Sequence, residues 1–314
     1  MVEQEGDVEP VRRLSAKNLK NMDFPKKREI VQGLIPAGCV ILVGAPKVGK
    51  SWFGLQAADA VASGRDFLGR RTERGDVLYL ALEDGFARLQ SRMIKQGSDF
   101  PECLDLQVEI EMADRGGLKV IEQWLIDYPD ASMVIIDVLK MFRAARGSKV
   151  NPYDQDYADI RPLTALANKY EVAIVVVHHT NKGSSNAADP FDRVSGTGGI
   201  SGAADGTLIL APDENGQTKL YGRGRDFMEF DIFLEFDPET CTWRMGEGTA
   251  DAGLSEKTND VLAELGRCEN PIGPTLLAQS LSMTRVDVQQ RLETLVKRGQ
   301  ARKVGRGNYV AVRK

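Results

Sequence analysis

The sequence predicts an α/β fold: a mainly parallel sheet with helices on both faces, antiparallel hairpins after it, and a small second domain. Three observations carry this expectation. Short, nearly continuous apolar runs alternate with helical stretches. A glycine-rich string lies between one such run and the helix that follows. Beyond residue 208 the texture changes to an alternating one.

Residues 1–13 read as a disordered lead. The strands are expected at Cys39–Val43 (CVILV), Val77–Ala81 (VLYLA), Met133–Ile136 (MVII) and Ile174–Val177 (IVVV). Runs so uniformly apolar suit strands buried on both faces, as in a parallel sheet. Helical patterns lie between them at Lys50–Ala62, Gly116–Tyr128 and Tyr157–Tyr170. After Leu208–Leu210, the segments Lys219–Arg223, Glu229–Phe236 and Thr242–Met245 alternate and predict antiparallel hairpins. A polar linker, Gly246–Glu256, precedes the last sixty residues. Helices are expected there at Thr258–Leu265, Pro274–Leu281 and Thr284–Arg298, the last capped by Thr284 and ended by Gly299. A hairpin, Ala301–Val304 with Tyr309–Val312, completes a winged-helix pattern. The expected domains are 14–245, the linker 246–256, and 257–314.

Composition excludes several function classes. The chain has 314 residues, 42% hydrophobic and 27% charged, which is ordinary for a folded protein of about two domains. A net charge of −4 excludes a uniformly basic DNA coat. Four separated cysteines, with no CxxC pair, argue against a zinc ribbon or a disulfide framework. The two histidines are neighbours, His178 and His179, which disfavours a multi-histidine metal enzyme. The acidic start MVEQEGDVEP resembles no secretion or transit signal, and no apolar run approaches the ~20 residues of a membrane span. A cytoplasmic location without membrane contact is expected.

Gly44-Ala45-Pro46-Lys47-Val48-Gly49-Lys50-Ser51 fits the pattern GxxxxGK[ST], with Trp52 directly after it. Such a loop wraps phosphate in backbone N–H groups at a helix N-terminus. Lys50 would reach the β- and γ-phosphates and Ser51 would ligate Mg²⁺, so the implied cofactors are ATP and Mg²⁺. Val134–Asp137 ends a strand in a carboxylate suited to holding Mg²⁺ through water. The next residue is Val138, so the carboxylate that activates water must come from elsewhere. Glu83, with Asp84 as second candidate, closes the strand Leu78–Leu82, at the sheet edge where α/β folds bind ligands. The same edge receives His178 and His179, placed to touch a γ-phosphate. Arg223 and Arg225, two apart in Gly222–Asp226, suit arginine fingers on a triphosphate held by a neighbouring subunit; solvated arginines on a surface strand would read the same way.

Together these residues resemble the RecA-like ATPase family of plasmid- and phage-type hexameric replicative helicases, the RepA type. The resemblance covers about residues 28–245. It rests on Ile35–Gly38, the phosphate loop with Ser51-Trp52-Phe53, Leu80–Asp84, Asp189–Gly196, Gly202–Asp205 and Arg223–Asp226. It implies a RecA-like P-loop core, Lys50 and Ser51 for nucleotide and metal, Asp137 for metal, and Glu83 for the attacking water. His179 matches the γ-phosphate sensor, and Arg223 and Arg225 match the trans-acting fingers. It also implies a homo-oligomeric, hexameric ring with single-stranded DNA in its centre. No primase or zinc module is fused, and the C-terminal winged helix departs from the family pattern, leaving a replication loading partner open.

Two loops would then face the pore. Residues 142–156 carry Arg143, Arg146 and Lys149; residues 181–200 carry Lys182 and Arg193. The tail is basic: residues 255–314 hold eleven Lys+Arg against six Asp+Glu, and the rest of the chain thirty against thirty-nine. Arg285 and Arg291 on the third helix, with Arg302, Lys303 and Arg306 at the hairpin, would bind duplex DNA; a protein-docking winged helix is the rival reading. The expected function is a DNA-translocating ATPase, a replicative helicase of a phage, prophage or plasmid. The rivals are a RecA-like recombination mediator or annealing protein, and a nucleotide-switched DNA-binding regulator.

Overall fold

The computed structural model describes residues 14–24, 26–144, 151–179, 190–191, 198–213, 216–225, 229–246, 256–268, 270–297, 299–305 and 307–312. The expected lead 1–13 and most of the expected linker lie outside these residues.

The chain opens with α1 (Ala16–Leu19) and a short hairpin, β1 (Glu29–Val31) and β2 (Ile35–Pro36). Then follow β3 (Gly38–Gly44), α2 (Lys50–Ser63), β4 (Asp76–Ala81), α3 (Phe86–Lys95), β5 (Leu104–Gln107) and α4 (Gly117–Asp127). Next come β6 (Ala131–Asp137), α5 (Leu139–Phe142), α6 (Pro152–Tyr170), β7 (Ala173–His179) and α7 (Gly198–Ala203). The strands β8 (Gly206–Pro212), β9 (Thr218–Gly224), β10 (Phe230–Asp237) and β11 (Thr242–Met245) follow in succession. The last segment contains α8 (Glu256–Arg267), α9 (Pro274–Ser280), α10 (Arg285–Lys297), β12 (Ala301–Val304) and β13 (Asn308–Ala311).

Nine strands form one sheet in the order β5-β4-β6-β7-β3-β8-β9-β10-β11. The six from β5 to β8 are parallel, and β9, β10 and β11 continue antiparallel. The expected α/β class with terminal antiparallel hairpins is observed. The apolar runs fill both faces. Val40, Leu42, Tyr79, Ile135 and Val175 pack with Phe53 and Leu55 of α2 and with Leu89 and Met93 of α3. Ile41, Val43, Leu80, Ile136 and Val176 pack with Ile121 of α4, Ile160 and Leu163 of α6, and Ile200 of α7. Every residue of β3 and β6 is buried, which is why these segments show no polar alternation.

Some boundaries differ from expectation. The helix expected from Tyr157 starts at Pro152, because Asn151 caps it by accepting from the Tyr153 N–H at 3.1 Å and proline suits the first turn. The first long loop is therefore shorter than 142–156. The second ends by Gly198, where α7 begins. The sequence expectations did not include β5 or α3; the mixed burial of β5 leaves no continuous apolar run. Residues 256–312 build a separate core from Val261, Leu265, Leu277, Val288, Leu292, Leu295 and Tyr309. Thr284 caps α10 as expected, accepting from the Asp287 N–H at 3.2 Å.

Truncating the sheet core should be costly. Ile135 is fully buried between β4 and β7, so Ile135→Ala should lower stability by about 2–5 kcal/mol. Ile126→Ala, at a position 56% exposed, should change it by less than about 0.5 kcal/mol. Chemical denaturation midpoints of the two variants check both.

Candidate nucleotide-binding site

The parallel strands bring the expected residues to one edge of the sheet. Strand β7 lies between β3 and β6, pairing Gly44 with His179 and Ile136 with Val176. On the far side of β6, Asp137 pairs with Ala81, two residues before Glu83. The carboxyl edge thus reads phosphate loop, His179, Asp137, Glu83 in spatial order.

The loop between β3 and α2 has the backbone of an anion cradle. Lys47 and Gly49 both take left-handed conformations, at φ 66° and 99°. Alternation of this kind turns successive N–H groups toward one side. Gly44 has no room for a side chain, since a Cβ would come within 2.6 Å of the Leu210 carbonyl oxygen. Ala45, Pro46 and Lys47 are exposed, Val48, Gly49, Ser51 and Trp52 are half-buried, and Lys50 is buried. The Lys50 ammonium donates to the Gly44 and Ala45 carbonyls, each at 2.9 Å. Burial lowers its pKa to about 8, while Asp137 and then Glu83 oppose the shift.

Asp137 is buried too. Desolvation raises its pKa, opposed by hydrogen bonds from Tyr79 and Ser51. The Tyr79 hydroxyl donates to Asp137 Oδ2 at 2.7 Å from a fully buried ring under α2. Beside this carboxylate lies a cavity of about 150 Å³ lined by Ser51, Ala81, Glu83, Asp84, Arg88, Arg92 and Asp137. Glu83 is exposed to it and makes no ion pair or hydrogen bond among the described residues. Asp84 is committed: Arg88 bonds Oδ1 at 2.9 Å and Arg92 bonds Oδ2. Of the two acidic candidates, Glu83 alone is available. His179 is half-buried, and its Nδ1 is buried with no hydrogen-bond partner among the described residues. Burial and then Lys50 lower its pKa, so the ring is held neutral. An unpaired neutral imidazole beside a phosphate cradle can accept from or donate to a ligand.

Arg223 and Arg225 sit elsewhere. Arg223 pairs with Thr207, and the Arg225 N–H bonds the Asp205 carbonyl at 2.8 Å, at the start of β8. The phosphate loop joins the opposite end of the same strand, where Gly44 pairs with Leu210. Three residues of strand for Arg223 and five for Arg225, roughly 10 and 17 Å, separate the levels. Arg223 pairs with Glu229 at 3.1 Å and stacks over Phe191, whereas Arg225 is exposed and donates to the Gly202 carbonyl at 3.0 Å.

Two of the arginines expected at DNA are engaged within the chain. Arg143 bonds the buried Asp156 at 3.1 Å and lies 3.9 Å from Asp159, anchoring α5 to α6. Arg291 is 6% exposed and bonds Asp287 and Thr258 inside the C-terminal core. Both positive charges are compensated internally. Arg285, Arg302 and Lys303 are exposed, and Arg146, Lys149, Lys182, Arg193 and Arg306 lie outside the described residues.

Sequence patterns missed four supports. Arg88 and Arg92 follow Asp84 at helical spacing, a signal that was readable. Tyr79 was hidden inside an apolar run. Trp243 on β11 gave no signal at all: its indole N–H bonds the Gly49 carbonyl at 3.2 Å, and its backbone exchanges two hydrogen bonds with the Gln56 side chain.

A family model described as "AAA domain" matches residues 7–185, more than half of the chain. The chain belongs to the AAA-domain family. No curated protein matches it in sequence. Among solved structures, an ATPase domain aligns with TM-score 0.55 at 15% identity, over 67% of this chain and 85% of the other. A DnaB-like replicative helicase, solved for its interactions with primase, aligns with TM-score 0.56 at 15% identity, over 73% and 66%. A KaiC-like protein from the archaeon Pyrococcus horikoshii gives 0.49 at 16%, over 71% and 98%. At these identities the first two likenesses are of fold, and the fold is that of RecA-like P-loop ATPases. Among the described residues no helix is long and apolar enough to cross a membrane.

Lys50 generates a pH prediction. Its folded pKa of about 8 lies below its ordinary 10.5, so the unfolded chain binds the extra proton between those values. This group therefore makes the folded protein more stable as pH rises through that window. A polyphosphate needs the ammonium, so its affinity should fall several-fold between about pH 7.5 and 9, with proton uptake on binding. Calorimetric titration with tripolyphosphate in buffers of different ionisation heat measures both effects. Lys50→Met should flatten them.

Proposed function

We propose that the protein is a ring-forming, ATP-hydrolysing DNA motor, a replicative helicase of the RepA type from a phage, prophage or plasmid. One observation carries this reading. The carboxyl edge of one subunit gathers Lys50, Ser51, Asp137, Glu83 and His179, while Arg223 and Arg225 stand at the opposite end of β8. A subunit so built has the groups to bind and cleave the triphosphate, and the distance of its arginines from that site supports reading them as serving another subunit's. The fold likeness to a DnaB-like replicative helicase supports the choice of motor.

Each residue then has a task. The loop Gly44–Ser51, with Trp52 beside it, wraps the phosphates, and Lys50 neutralises the β- and γ-oxygens. Ser51 and Asp137 fit Mg²⁺, which favours one or two protein oxygens plus phosphates and water over an all-protein cage. The metal supplies charge neutralisation on the phosphate oxygens. Glu83 orients and deprotonates the attacking water. His179 bonds the γ-phosphate and loses that bond when phosphate leaves. Arg225, exposed beside Arg223, enters the neighbouring subunit's site and stabilises charge in the transition state. Single-stranded DNA would pass through the ring, contacted by the loops that carry Arg146, Lys149, Lys182 and Arg193.

We read residues 14–245 as the ATPase domain, 246–256 as a linker and 257–314 as a winged helix. For this last domain, duplex DNA binding is the reading, with protein docking to a replication loading partner as the alternative. Arg285, Arg302 and Lys303 are exposed, whereas Arg291 is turned into the core.

ATPase rates with and without single-stranded DNA, taken with mass by light scattering, test the motor. DNA-stimulated turnover in a multimer and displacement of a forked duplex are expected. Annealing without displacement would point to a recombination mediator, and ATP binding without turnover to a nucleotide-switched regulator. Lys50→Ala should abolish hydrolysis. Arg225→Ala should bind ATP normally and lose turnover by at least about tenfold; an unchanged rate would remove the finger assignment.

A further inference from the structure

Helix α3 presents three side chains at helical spacing, Arg88, Arg92 and Gln96, along the edge of the candidate site. Their partners belong to different parts of it. Arg92 bonds Asp84, the residue after Glu83. Its guanidinium also lies 4.9 Å from the centre of the Trp52 ring, the residue after Ser51. Gln96, one turn on, donates at 3.0 Å both to the Trp52 carbonyl and to the Cys241 carbonyl before β11. Arg88 occupies the other oxygen of Asp84 at 2.9 Å. Asp84 and Arg92 are only 9% and 20% exposed, so the pair is partly desolvated.

We infer that Arg92 is a positioning residue that fixes the water-activating carboxylate relative to the metal-binding helix. The inference rests on the reading of Glu83 as the general base. The loop 82–85 leaves β4 and has no hydrophobic anchor at Glu83 itself, which is exposed to the cavity. Its place is set by the neighbour Asp84, and Asp84 is set by two arginines. Arg92 adds what Arg88 does not, because its planar group also lies over the Trp52 ring. One side chain therefore touches both the residue after the base and the residue after the metal ligand. Lysine cannot replace it, since an ammonium lacks the flat fork that bonds a carboxylate and stacks on an indole together.

The role predicts a split in kinetics. Arg92→Gln should leave the KM for ATP within about twofold and lower kcat by at least about tenfold, because geometry at the attacking water matters only in the chemical step. Arg92→Lys should not restore kcat. Asp84→Asn should lower kcat similarly, and the double variant should be little worse than either single one. Trp52 supplies a second readout. The emission change on ATP binding, assigned to Trp52 by its loss in Trp52→Phe, should keep its midpoint in Arg92→Gln but change in amplitude. Thermal unfolding of each variant separates misfolded protein from a positioning defect. Normal kcat in well-folded Arg92→Gln would overturn the inference, as would a loss confined to KM. Glu83→Gln is the independent control. If it retains turnover, the reading of Glu83 fails; if it is inactive while Arg92→Gln is normal, only the positioning role fails.

Discussion

The register of β7 against its two neighbours sets the rest of the site. Because β7 is inserted between β3 and β6, the backbones of β3 and β6 stand about 10 Å apart, two strand spacings. Ser51, at the start of α2, still reaches the Asp137 carboxylate across that interval. His179 lies between them at the sheet edge, because β7 ends two residues beyond the level of Asp137. A slip of one residue in β7 would turn His178 to that face and bury the other ring differently. β3 and β6 are buried along their whole length, and so is β7 up to Val177.

Electrostatics at this edge is unbalanced within the single chain. Lys50 is buried against backbone carbonyls, with its pKa drawn down; Asp137 is buried with its pKa drawn up. Each charge is destabilised by loss of water, and neither forms a direct ion pair with the other. Polyphosphate and a divalent cation would supply the missing partners to both at once. The Tyr79 hydroxyl meanwhile keeps Asp137 aimed at the cavity. Its ring is one of the largest fully buried side chains, so this polar bond is held by apolar packing.

Much of this was legible in the residues. The phosphate loop, Asp137, Glu83 and the histidine pair each sit at the end of an apolar run, and a parallel sheet places such ends together by construction. What remained unreadable has physical causes. The charges of Arg143 and Arg291 looked like free cations because a sequence does not show which carboxylate lies opposite. Asp156 and Asp159 neutralise the first, and Asp287 the second, through tertiary or helical contacts. The separation of Arg223 and Arg225 from their own phosphate loop followed from the antiparallel turn of β9, which returns the chain to the opposite edge. The choice between Glu83 and Asp84 depended on α3, whose Arg88 and Arg92 follow Asp84 at helical spacing and take both of its oxygens.

The contact of Trp243 with the phosphate loop bears on where this enzyme-like unit ends. The stretch matched by the family model stops at residue 185, yet the indole that covers Gly49 comes from residue 243. A fragment cut at the end of the shared stretch would retain the signature Gly44–Ser51 but not the wall behind it. A change in β11 that alters the shape of Trp243 is felt at the N-terminus of α2, because the indole and Gly49 are in direct contact.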